Sequence, residues 1–168
     1  MQQVSARWIW LCAVVLLSGC PRAGSNSDEA SAARSFYNLP VTEQLRTFRQ
    51  HPLENQLDLF LFGNQIHHPP AIYLARCFAL SGAAAVELLR SKLNANSDDL
   101  TVRDITLLLA NIDAMSKYDV TGDAQLMATL KSRIAQMRDA GWRDTAEQKF
   151  ASIGQERNEH AGQAPECG

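Results

Sequence analysis

Apolar side chains recur at three- and four-residue intervals along most of this chain, the spacing of helices that bury one face. Thr42, just after Pro40, fits the N-cap of a first short helix with Leu45 and Phe48 on one face. That helix closes at His51-Pro52, because the residue before proline is pushed out of the helical region. A second helix over 53–62 carries Leu53, Leu57, Phe60 and Leu61, and Gly63-Asn64 reads as its stop. Pro69-Pro70 suits the opening of a third, whose stripe is Tyr73, Leu74, Cys77 and Phe78 before Ser81-Gly82. Four more helices follow over 83–93, 100–117, 123–138 and 142–153. No alternating run and no tight hairpin dipeptide lies between apolar segments, so no strand competes. The expected fold class is all-α, with about six to seven short helices in antiparallel pairs.

The helix over 100–117 is apolar nearly all round, with Ile105, Leu107, Leu108, Leu109, Ile112 and Met115. Such a helix is expected to be central and covered on most sides, with Arg103, Asp104 and Lys117 marking narrow access to solvent near its ends. An offset of 41 residues places Val86 on Met127, Leu89 on Leu130, Leu93 on Ile134, Leu109 on Phe150 and Ile112 on Ile153. One shift that serves two successive helices also constrains the loop between them, and its period falls among those of two-helix solenoid repeats.

The stretch Ala85-Val86-Glu87-Leu88-Leu89-Arg90-Ser91-Lys92-Leu93, followed by Asp99-Leu100-Thr101-Val102-Arg103, resembles the junction between two HEAT-type repeats. The resemblance implies stacked helix pairs, with Asp99 capping the helix that Val102-Arg103 begins. Leu109 and Ile112 fall one residue early for that family's phase, and a compact helical bundle is the other reading of the same residues.

The N-terminus is patterned differently. Arg7 precedes the unbroken apolar run Trp8–Leu17, half the roughly 20 residues of a spanning helix, and small residues follow, as in a secretory signal. Leu17-Ser18-Gly19-Cys20 resembles the lipobox of bacterial lipoproteins. That resemblance implies cleavage before Cys20, lipid attached to its sulfur, and anchoring to a membrane without spanning it. Two or three acyl chains hold a protein on a bilayer where one does so only marginally. Pro21 stands where the inner-membrane retention signal has Asp, so the expected location is the periplasmic face of the outer membrane. Residues 20–35 lack Leu, Ile and Val and, before Phe36, any aromatic residue, so they read as a flexible tether. The folded body is then 36–154, with 155–168 as a disordered tail.

Charge narrows the partners. The 168 residues carry 16 Lys and Arg against 18 Asp and Glu, a net −2, with no single-sign block, which removes the electrostatic footprint of a nucleic-acid binder. Cys12 leaves with the signal and Cys20 takes lipid, so Cys77 and Cys167 remain in an oxidising compartment. One disulfide is available to them, although Cys77 in its apolar surroundings also reads as a buried, unpaired thiol, the favoured reading.

Chemistry is sparse. There is no phosphate loop, nucleophile elbow or His-Glu-x-x-His helix, and no cofactor is implied. His67-His68 is the weak candidate for a metal site, provided that the fold brings Asp98, Asp99 or Asp119 to it. The segment 119–123 reads as a helix start with Asp119 or Thr121 as cap, in place of a calcium loop. Trp142 either pins a helix N-terminus to the core or anchors a partner. The expectation is a non-catalytic, lipid-anchored envelope protein that binds a protein partner as scaffold, assembly factor or immunity module. A metal or small-molecule sensor using His67 and His68, or a hydrolase of unrecognised type, are the alternatives.

Overall fold

The computed structural model describes residues 26–95, 98–155 and 167; the signal run and Leu17–Cys20 lie outside them. All regular structure among the described residues is α-helical: α1 (Asn26–Tyr37), α2 (Val41–Phe48), α3 (Leu53–Gln65), α4 (Leu74–Ala79), α5 (Gly82–Ala95), α6 (Asp99–Ala114), α7 (Ala124–Ala135) and α8 (Ala140–Ser152).

The helix missing from the sequence reading is α1, which corrects the tether assignment for 26–35. Alanine has the highest helix propensity and needs no apolar neighbour to form a turn. Ala33, Phe36 and Tyr37, at helical spacing, then lay one buried stripe against α3. Tyr37 seals the contact by donating its hydroxyl to Leu59 O at 2.8 Å. Gly63 does not stop α3. It lies inside the helix because a Cβ there would collide with the Tyr37 phenol and come within 2.8 Å of Ala71 Cβ. Pro69-Pro70 likewise belongs to the loop before α4, which begins four residues later.

The even-numbered helices form a row. Helix α2 packs on α4, α4 on α6 and α6 on α8, while α1 packs on α3 and α5 on α7. Helix α6 touches α3, α4, α5, α7 and α8, and Ile105, Leu108, Leu109 and Ile112 on it are fully buried. Burying each such side chain contributes about 1.5–3 kcal/mol, so α6 is the energetic centre of the fold.

The 41-residue offset carries α5 and α6 onto α7 and α8. Val86, Leu89 and Leu93 are buried in the first pair, and Leu130 and Ile134 in the second. The caps repeat too, but α6 is capped by Asp98 and not by Asp99. Asp98 Oδ1 accepts from Thr101 N at 3.0 Å, and Asp139 Oδ1 accepts from Trp142 N at 2.9 Å. Asp99 bonds across the repeat, its Oδ2 receiving Arg138 N at 2.8 Å and Asp139 N at 2.7 Å. Helix α7 is capped by Asp123, while Asp119 Oδ1 accepts Thr121 Oγ1 and Gly122 N to hold the preceding turn.

Cys77 is bonded to Cys167, which corrects the reading of a free buried thiol. Cys167, the last described residue, is therefore tied to α4. Buried Asp113 makes a second closure: its Oδ1 accepts Val120 N at 3.2 Å and its Oδ2 accepts Gly154 N at 2.8 Å, joining the α6–α7 loop to the end of α8.

Candidate binding groove

The sequence candidates do not converge. His67 stacks on the Tyr37 ring with centroids 4.9 Å apart, and His68 is exposed. Asp98, Asp99 and Asp119 serve the caps and turns just described, and no group of three His, Cys, Asp or Glu side chains poised to hold a metal occurs among the described residues.

Trp142 is 39% exposed, and the Arg103 guanidinium carbon lies 4.4 Å from its ring centroid. This cation–π contact joins the first turn of α8 to that of α6, and it occupies the ring with an intramolecular partner. Arg103 also binds Asp104, with Nη2 and Nε 2.7 and 2.8 Å from Oδ1. Asp104 does not face solvent as its sequence position suggests. It is fully buried, and its carboxylate receives Asn64 Nδ2 at 2.5 Å and Gln65 Nε2 at 2.9 Å. Burial pushes its pKa above the ordinary value, against the lowering effects of Gln65, Arg103 and Asn64. The network joins α3 to α6.

One of several surface depressions lies along the row α4, α6 and α8. Leu107, Asn111 and Ala114 recur at helical spacing on α6, beside the buried stripe of Ile105, Leu108 and Ile112 that Met115 continues at the C-cap. With Ile72 and Tyr73 before α4, Arg76 on α4 and Lys149 on α8, they line an open groove of about 430 Å³. Ile72 is 59% exposed at its edge. The Tyr73 hydroxyl donates to Gln44 Oε1, and Gln44 Nε2 donates to Leu39 O at 2.7 Å, which fixes the tyrosine against α2. Burial raises the Tyr73 pKa, so the ring presents a neutral phenol.

The charged side chains in the groove's lining are Arg76 and Lys149. Nothing in this lining has the arrangement of nucleophile, base and oxyanion donor that bond cleavage requires.

Sequence reasoning named Tyr73, Leu107 and Met115 only as apolar positions of helices and none of the lining as a site. The available signal was the surplus of apolar residues on α6: Leu107 lies off the stripe that the core uses and stays half-buried, so the helix is less completely covered than its composition implies. No helix among the described residues is long and apolar enough to cross a membrane. Comparison with protein-family models, with curated proteins and with solved structures finds no match for this chain.

Proposed function

We propose that this chain is a non-catalytic, lipid-anchored protein of the cell envelope, held at Cys20 and binding a protein partner through the α4–α6–α8 groove. The observation that carries the reading is that groove: an open apolar floor on the most buried helix of the fold, edged by exposed Ile72. Stacked helix pairs of HEAT-like type characteristically use such a row of helices for extended contacts. The Cys77–Cys167 bond supports a compartment outside the reducing cytosol, in keeping with the signal-like N-terminus and the lipobox resemblance of Leu17-Ser18-Gly19-Cys20.

Anchoring supplies what an open groove of modest size lacks. A domain confined to a membrane surface meets any partner on the same surface at high effective concentration, so a weak contact is occupied. Pro21 after Cys20, where the inner-membrane retention signal has Asp, supports the periplasmic face of the outer membrane. A scaffold, an assembly factor or an immunity module fits this arrangement; nucleic acid does not, given the near-balanced charge.

The test is fatty-acid labelling and membrane fractionation of the wild type beside Cys20→Ser. Label and membrane association in the wild type alone support the anchor. Label that persists in Cys20→Ser, or a wild type that is soluble and unlabelled, contradicts it.

A further inference from the structure

We propose that Cys167 is the thiol-exchange site of this chain: the sulfur on which an external thiol is held in mixed disulfide, with Cys77 as the cysteine that resolves it. The ligand is a reactive thiol, either glutathione or the cysteine of a disulfide oxidoreductase. Neither the groove nor the membrane anchor enters into this role.

The two sulfurs of the bond are unequally placed. Cys77 is fully buried on α4 between equally buried Leu74 and Phe78, and α2, α3, α5 and α6 pack around that helix. Cys167 is only half-buried and packs against the core from its edge. The chain order adds to the contrast. The elements that pack on α4 end by Ala114, whereas Cys167 follows all eight helices, so the walls around Cys77 precede its partner in the sequence.

An entering thiolate selects a sulfur by access. Cys77 offers it no open side, and Cys167 does. When the external thiolate bonds to Cys167 Sγ, the bond to Cys77 breaks and its electron pair leaves on Cys77 Sγ. Cys77 takes a proton from water, matching the one the external thiol released, because charge is costly among apolar side chains. The external sulfur is oxidised and Cys77 is reduced. Bond formation is the reverse: reduced Cys167 accepts a sulfur from a disulfide donor, then the Cys77 thiolate attacks Cys167 Sγ and the external thiolate departs. The two Cα atoms lie 5.6 Å apart despite a sequence separation of 90, so folding supplies the resolving thiol in place.

The experiment uses the full-length chain as Cys77→Ala and as Cys167→Ser, each shown to be folded by circular dichroism. Both are reduced, exposed to glutathione disulfide and quenched with acid, and adducts are mapped by peptide mass spectrometry, which separates Cys12 and Cys20 from the pair. Glutathione is expected on Cys167 of Cys77→Ala, and severalfold more slowly on Cys77 of Cys167→Ser until urea unfolds the chain and the two rates converge. Equal or faster reaction at folded Cys77, or no adduct on Cys167, overturns the proposal. In the host, acid-trapped Cys77→Ala lacks the resolving thiol and is expected to carry a mixed disulfide on Cys167. A protein adduct names an oxidoreductase as the source, and a glutathione-sized mass names the small thiol. Cys167 recovered there as a free thiol overturns the role.

Discussion

Asp98 and Asp139 hold one structural position in two successive helix pairs. Each carboxylate caps a helix by accepting the N–H of the residue three later, Thr101 or Trp142. Both caps replace water on a backbone donor that has no partner inside its helix. Removing either, as Asp98→Ala or Asp139→Ala, lowers stability in urea denaturation by about 0.5–2 kcal/mol. Asp139→Asn keeps most of the difference, because its amide oxygen accepts the same bond; an equal loss in both variants contradicts the cap assignment.

Acid sensitivity follows from Asp123. Its carboxylate receives Leu126 N, the Tyr118 hydroxyl and Arg90, which together hold its pKa at about 2 against an ordinary 3.8. A folded pKa below the unfolded one means stability that is present above 3.8 and is lost as pH falls toward about 2. In Asp123→Asn, which keeps a capping oxygen, this contribution is absent. The stability gap between wild type and variant therefore closes over that interval, and a gap independent of pH there contradicts the assignment.

The bond between Cys77 and Cys167 spans a sequence separation of 90. Loop-closure entropy puts its contribution at up to about 4–5 kcal/mol. Cys167→Ser, which spares the buried side of the pair, lowers the urea midpoint, and reductant produces the same shift in the wild type but none in the variant. Alkylation of Cys77 and Cys167 in the wild type unfolded without reductant under oxidising conditions contradicts the pairing.

Gly63 reverses an ordinary rule. In an exposed helix interior, alanine for glycine adds about 1 kcal/mol of stability. Here the added methyl meets the Tyr37 phenol and Ala71, so Gly63→Ala lowers stability by about 1–3 kcal/mol. A thermal melt that moves upward contradicts the packing of α1 on α3.

Gly63 also shows where the sequence stops being legible. Periodicity states which face of a segment is apolar, and on that basis the all-α class, the buried stripe of α6 and the register between the last two helix pairs are readable. It does not state what approaches a glycine, so Gly63-Asn64 looks like a helix end. Composition hides α1 for a related reason: Ala33 buries as well as a leucine when its neighbour lies close, but it adds almost nothing to an apolar count. The cysteine pairing was open because two thiols so far apart along the chain have no spacing rule. The groove was least legible of all, since Ile72, Leu107 and Lys149 come from separate parts of the chain and only the packing of α4, α6 and α8 brings them together.

The most direct test is in-cell chemical crosslinking in the native host, with the wild type beside Cys20→Ser and Leu107→Asp, followed by purification and mass spectrometry. Circular dichroism confirms first that the Leu107→Asp domain is folded. The account predicts one stoichiometric envelope partner with the wild type, less of it without the anchor, and none with the altered groove. A wild type recovered alone while a known envelope complex is captured in the same cells contradicts it, as does a partner retained in full by Leu107→Asp.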